Sequence, residues 1–175
     1  MFRKLYNSEL NRISVEEFKK VDKTPVTVIL DNVRSQHNIG SAFRTSDAFR
    51  IEKIYLCGIC ATPPTPEIHK SALGAEFSVE WEYSQETLPV VERLKAEGYT
   101  IISVEQAENS TMLQDFKIED GRKYALVFGN EVKGVAQDVV DASDICLEIP
   151  QYGTKHSLNV SVSIGIVLWT FARLS

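Results

Sequence analysis

Three short polar stretches carry the residue types that could do chemistry in this chain: Asn38 to Arg44, Gly129 to Gly134, and Gly153 to Val162. In the last of these, Ser157 and Asn159 stand at the end of a polar loop that runs into Val160–Phe171, a segment without charge until Arg173. Hydroxyl and amide side chains accept the free N–H groups of a first helical turn, so this junction predicts a helix start. A loop feeding such a start can hold an anionic or polar ligand. The other two stretches each follow an apolar run. Polar loops from distant parts of one sequence therefore predict a single assembled site.

The elements that must position these loops alternate along the chain. Ser14-Val15-Glu16-Glu17 is a capping box opening a short helix that ends before Pro25. Residues 1–24 read as an N-terminal helical extension, and residues 25–175 as one domain. From Pro25 onward, strands are expected over Val26–Leu30, Ile54–Cys57, Phe77–Trp81, Tyr99–Val104, Tyr124–Phe128 and Ile145–Ile149. Between them, helices are expected over Ile39–Phe49, after the Pro-rich loop at 62–66, and over Glu86–Glu97, Val135–Ala142 and Leu158–Phe171. Gly98 follows the third of these as a C-terminal stop. Near-continuous apolar strands alternating with helices predict an α/β fold, a mostly parallel sheet with helices on both faces. Ligands then bind beyond the carboxyl ends of the strands, where the polar stretches fall.

Composition narrows the function classes. The 175 residues carry a net charge of −5, which argues against a protein that holds nucleic acid by bulk charge. No uncharged apolar run is long enough for a membrane span, and no secretory signal is visible at Met1–Leu5. An odd count of 3 cysteines fits a reducing compartment, so the expected location is cytoplasmic. The nine glycines never stand two apart, which removes the dinucleotide fingerprint. Gly129 and Gly134 have P-loop spacing, but Val135-Ala136 replaces the Lys-Ser/Thr that would hold phosphate and magnesium, and Glu131 would repel a triphosphate. The three histidines, His37, His69 and His156, form no ligand-spaced motif, so no metal is expected.

With these residues on the page, the chain resembles the SpoU branch of the SPOUT superfamily, the RNA ribose 2′-O-methyltransferases. Asn38-Ile39-Gly40-Ser41-Ala42-Phe43-Arg44 resembles the first family motif, and Phe128 to Val135 the second. Ile149-Pro150-Gln151 with Ser157-Leu158-Asn159-Val160-Ser161 resembles the third, and His69 to Ala75 the segment before the middle strand. The likeness covers about residues 25–172. It implies a C-terminal trefoil knot, S-adenosylmethionine as cofactor, a homodimer, and a tRNA or rRNA substrate. Gln151 departs from the apolar residue many members carry after Ile-Pro.

By the same resemblance, Gly129, Asn130, Ile149, Leu158 and Val104 contribute to the adenosyl pocket, and Arg44, Asn38, Glu131, Ser157 and Asn159 form the catalytic set. Glu131 would orient either the methionine amino group or the opposing loop. Ser157 and Asn159 would position Arg44 or the ribose, and Asn38 would brace the first loop. The family assignment makes Arg44 the general base. A guanidinium is a poor base, since neutralising an arginine near pH 7 costs roughly 7 kcal/mol. A bidentate clamp on an RNA phosphate is the alternative role.

Plainer readings accompany each of these. Arg44 on a helix can be a solvated surface residue, Asn38 an N-cap for a helix from Ile39, Glu131 an exposed turn residue, and Ser157 and Asn159 caps of the last helix. His37 reads as structural or RNA-facing. Cys57-Gly58-Ile59-Cys60 has CxxC spacing, but only Cys146 remains to pair with it, so it reads as buried. Lys19, Lys20 and Lys23 are either a solvated helix face or, with Arg3, Lys4 and Arg12, an RNA-facing patch on an acidic protein.

Overall fold

The computed structural model describes residues 1–172; Arg173 and the end of the 25–175 span lie outside the described residues. After a turn of 3-10 helix at Asn7–Glu9, the elements follow as α1 (Val15–Lys20), β1 (Thr24–Asp31), α2 (Gln36–Ala48), β2 (Ile51–Cys57), α3 (Pro66–Ala72), α4 (Ala75–Ser78), β3 (Trp81–Ser84), α5 (Leu88–Ala96), β4 (Thr100–Val104), β5 (Thr111–Met112), β6 (Tyr124–Phe128), α6 (Gln137–Ala142), β7 (Ile145–Glu148) and α7 (Val160–Ala172). The strands form one seven-stranded sheet in the order β3-β2-β1-β6-β4-β7-β5, and every pairing is parallel.

A parallel sheet needs cover on both faces, and the strand sequences supply apolar side chains to both. Val28, Leu30, Ile54, Leu56, Leu126 and Phe128 point into one core, closed by Ile39 and Phe43 of α2, Ile68 of α3, and Ile164, Val167, Leu168 and Phe171 of α7. Their neighbours Ile29, Tyr55, Ile101 and Val127 point into a second core under Val91 and Leu94 of α5 and Val139 of α6. The order places β1, β6 and β4 at the centre, so the loops that follow them open side by side at one end.

Local chemistry sets the boundaries. Ser14 accepts from the Glu17 N–H at 3.1 Å while the Glu17 carboxylate accepts from the Ser14 N–H at 2.7 Å, closing the expected capping box. Helix α2 begins earlier than Ile39, because Ser35, not Asn38, is its N-cap: the Ser35 hydroxyl accepts from Asn38 N–H at 3.2 Å. The strand expected over Phe77–Trp81 is corrected. Leu73 at φ 53 and Gly74 at φ 95 turn the chain out of α3 and straight into the single turn α4, so β3 starts only at Trp81. Gly98 lies at φ 88 behind α5, as a helix stop requires. Gly40 permits the tight crossing of α2 on α3, since a Cβ there would stand 2.0 Å from Ser71 Oγ and 2.4 Å from the Ile68 carbonyl oxygen.

Candidate active site

A cleft of about 1130 Å³ lies across the carboxyl ends of β4, β6 and β7. Its walls are the segment after β4 from Val104 to Asn109, the loop after β6 from Gly129 to Val135, and the approach to α7 from His156 to Val160. Val104, Gly129, Asn130 and Ile149 line it, as do Glu131, Ser157, Leu158 and Asn159. These are residues of the second and third sequence motifs, brought together by the strand order.

The loop after β6 is held on every side. Asn130 and Gly134 exchange backbone hydrogen bonds at 3.0 and 2.9 Å, closing a tight turn, and the Asn130 side chain accepts from the Val132 and Lys133 N–H groups at 2.9 and 3.0 Å. Its amide donates to the Asn32 carbonyl at 2.7 Å. Gly129 must be glycine for close packing, because a Cβ would meet Gly134 C and Val135 N at 2.1 Å. Gly134, at φ 70, lies under the Glu105 carboxylate.

Glu131 settles one of its two expected roles. Its carboxylate accepts from Arg34 N–H and Ser35 N–H at 2.9 Å each, and from the Asn38 amide at 3.1 Å. It thus fixes the cleft loop to the first turn of α2 and orients the opposing loop. Burial pushes its pKa up, but the N–H donors of Arg34 and Ser35 outweigh that and hold it below the ordinary carboxylate range. Asn38, buried and outside the cleft lining, braces the first loop through this bond.

Asn159 caps α7: its side-chain oxygen accepts from Ser161 N–H at 2.9 Å and Ser161 Oγ–H at 2.5 Å. Ser157 is exposed at the cleft rim, and among the described residues its side chain makes no hydrogen bond. Arg44 is the residue the fold does not bring in. It sits on the exposed side of α2, outside the cleft lining, and among the described residues its guanidinium has no hydrogen bond or ion pair.

Three carboxylate or amide side chains escaped the sequence reading. Glu105 spans two walls of the cleft, accepting from Gln106 N–H at 2.8 Å and from Val135 N–H at 3.0 Å. Gln106 donates to the His156 carbonyl at 2.6 Å, tying the segment after β4 to the approach to α7. Asp31, buried at the end of β1, accepts from Thr87 Oγ–H at 2.5 Å and from Ala136 N–H at 2.8 Å, anchoring the far side of the cleft loop. The sequence signal for each was only a polar residue just beyond an apolar strand.

The CxxC pair has no chemistry here. Cys57 and Cys60 are free and buried, and burial pushes their thiols up to about 12 and about 11. Gly58 at φ 65 packs on the Asn32 side chain, which accepts from Ile59 N–H at 3.1 Å, so the turn props the first loop. His37 is exposed at the start of α2, and its carbonyl accepts from Ser71 Oγ–H at 2.9 Å. Among the described residues no group of His, Cys, Asp and Glu could hold a metal ion, and no helix is long and apolar enough to cross a membrane.

What the cleft can do follows from its lining. Backbone N–H and C=O groups at Gly129, Ile149 and Leu158 can read the edge of a neutral base without a buried charge. No cluster of N–H groups remains free for a polyphosphate, because Glu131 and Glu105 already occupy the two sets nearest the loop. The cleft therefore suits a nucleoside carrying positive rather than negative charge.

The profile of the SpoU rRNA methylase family matches residues 25–169. The tRNA (guanosine(18)-2′-O)-methyltransferase of Aquifex aeolicus is 30% identical over 149 residues, covering 83% of this chain and 68% of that protein. The crystal structure of the A. aeolicus TrmH/SpoU tRNA modifying enzyme superposes with a TM-score of 0.80 at 27% identity, over 91% of this chain and 79% of that one. The SpoU methyltransferase AviRb of Streptomyces viridochromogenes, solved in complex with AdoMet, gives a TM-score of 0.75 at 26% identity, over 90% of this chain and 63% of that one. The chain spans only part of other relatives, 63% of one from Staphylococcus saprophyticus and 52% of one from Synechocystis.

Proposed function

This chain belongs to the SpoU rRNA methylase family, and from that premise we propose that it transfers the methyl group of S-adenosylmethionine to a ribose 2′-hydroxyl of a structured RNA, tRNA or rRNA. The observation that carries the reading is the cleft itself: motifs far apart in sequence meet at the ends of β4, β6 and β7, with an adenosyl-sized space between them. S-Adenosylmethionine fits the residues present. Gly129, Asn130, Ile149, Leu158 and Val104 would hold its adenosyl part, and the carboxylates of the lining favour a cation over a triphosphate. When bound, the cofactor supplies an activated methyl group on a sulfonium.

The chain's own residues then place the acceptor. Glu131 and Asn38 fix the start of α2, the helix that bears Arg44. Asn159 sets the direction of α7, and Ser157 stands at the rim to meet the ribose. Positioning of this kind can supply several kcal/mol of barrier reduction, about 7 or more in favourable cases. Arg44 serves as a clamp on the RNA phosphate beside the reacting ribose, or as the acceptor of its proton. Since it lies outside the cleft of its own chain, we assign it to the cleft of a second copy in a homodimer. The support is an apolar face of α7, where Val162, Ile166 and Trp169 are exposed on the side away from the core. A knotted C-terminal path belongs to the same reading and is supported by the contact of Gln106 with the approach to α7. Residues 25–175 are the catalytic domain, 1–24 an added helical extension, and the reduced cysteines fit activity in the cytoplasm.

The test is transfer of tritium from methyl-labelled S-adenosylmethionine to bulk tRNA and rRNA from a strain lacking the gene. Label is expected in 2′-O-methylated nucleosides after digestion. Label in bases, or none in either RNA, would refute the proposal.

A further inference from the structure

Residues 1–24 differ from the rest of the chain in charge and in packing. They hold six Lys and Arg against four Asp and Glu, whereas residues 25–175 hold thirteen against twenty. Phe18 is the only buried residue among positions 1–23. The segment is nevertheless locally built. Glu9 accepts from both terminal nitrogens of Arg3, at 3.1 and 2.8 Å, and from Tyr6 N–H at 2.7 Å, which closes the turn at Asn7–Glu9. Lys23 is likewise spent inside the extension, on the Phe18 and Val21 carbonyls.

What this turn presents outward is chemically specific. Phe2 is 105%, Tyr6 74% and Leu5 57% exposed, so a closed turn holds aromatic rings in water with no core to receive them. Lys4, Arg12, Lys19 and Lys20 are exposed, and among the described residues their side chains have no hydrogen-bonded or ionic partner. Rings interleaved with free cations match a polyanion whose bases are unstacked: cations take phosphates, rings take base faces. A second copy of this acidic chain offers no such match to the cations.

We propose that residues 2–20 form an RNA-docking arm, in which Phe2 and Tyr6 stack on unpaired bases of the substrate and Lys4, Arg12, Lys19 and Lys20 hold its phosphates. This rests on the proposed RNA substrate and names the surface that grips it away from the cleft. None of these side chains enters the cleft lining, so the arm acts on RNA affinity and not on methyl transfer itself.

Fluorescence anisotropy with total tRNA and with oligouridine, across a salt series, tests the arm in the full chain. Phe2→Ala/Tyr6→Ala is expected to weaken binding about tenfold with the salt slope unchanged. Lys4→Ala/Arg12→Ala is expected to weaken binding and to reduce the slope of log affinity against log salt by about 1.4. Calorimetric binding of S-adenosylhomocysteine should stay at the wild-type level in both, which shows that the fold and the cleft are intact. RNA affinities within twofold of wild type in both variants would overturn the arm while leaving the methyltransferase reading standing. A shift from dimer to monomer in the aromatic variant, with RNA affinity retained, would instead make this face a protein contact and also overturn it. A wild-type protein that binds neither RNA probe would sink both the arm and the reading beneath it.

Discussion

Glu131 is a carboxylate placed where a helix start could have taken a phosphate. By accepting from Arg34 and Ser35 N–H and from the Asn38 amide, it fills the anion site at the start of α2 with a group from the chain itself. Its folded pKa lies below the model value of 4.5, so its stabilising contribution is complete above 4.5 and is lost as pH falls through 4.5 and the lower folded value. Thermal melts of wild type and Glu131→Gln at a series of pH values should therefore differ most at neutral pH and converge in acid; parallel curves would refute this brace. Glu105 supports a second prediction. A glutamine there keeps the acceptor for Val135 N–H or that for Gln106 N–H, but not both. Glu105→Gln should raise KM for S-adenosylmethionine about tenfold with kcat little changed, the signature of lost ground-state binding. An equal loss in kcat would place Glu105 in the chemistry instead. At this scale the sequence revealed residues whose signal is a local motif, such as Gly129 and Asn159. It missed Glu105 and Asp31, because their partners at Val135 and Ala136 are distant in sequence and adjacent only once β1, β4 and β6 are side by side.

Among the elements, α2 carries the most consequence for the site. It lies on α3 through Gly40, packs its Ile39 and Phe43 into the core, and is fixed at its start by Glu131. Gly40→Ala should cost about 1–3 kcal/mol in urea unfolding, since a Cβ would press on the Ile68 carbonyl and cannot be relieved by a side-chain rotation alone. Wild-type stability in that variant would mean the crossing is looser than described. The central strands were readable because each is an apolar run bounded by polar loops; Tyr124–Phe128 was found to the residue. The failure at Phe77–Trp81 has a clear source. A single helical turn is too short to show a period, and the left-handed backbone at Leu73 is a position a leucine gives no sign of accepting. The start of α2 was misplaced for a related reason: Ser35 and Asn38 are both good caps, and only the hydrogen bond tells which one acts.

For the whole molecule the open relation is between Arg44 and the cleft. If a second copy delivers it, an Arg44→Ala chain and a Gly129→Ala chain, each inactive alone, should complement one another on mixing. Mixed dimers would hold one intact site, and random exchange should restore about a quarter of wild-type activity. No recovery, with dimer exchange confirmed by sedimentation, would put Arg44 to work in its own chain or outside the reaction. The parallel order, the two cores and the site at the strand ends were legible in the alternation of apolar runs and polar loops. The dimer, the knot and the partner for Arg44 were not, because periodicity reports which face of an element is apolar and not what covers it. The claim beneath all of this is that the cleft behind Gly129 holds an adenosyl sulfonium. Calorimetry with S-adenosylhomocysteine, ATP and NAD addresses it most directly. Binding of S-adenosylhomocysteine alone, abolished by Gly129→Ala in a chain that still folds, is the predicted result; tighter binding of ATP, or undiminished binding in the variant, would contradict it.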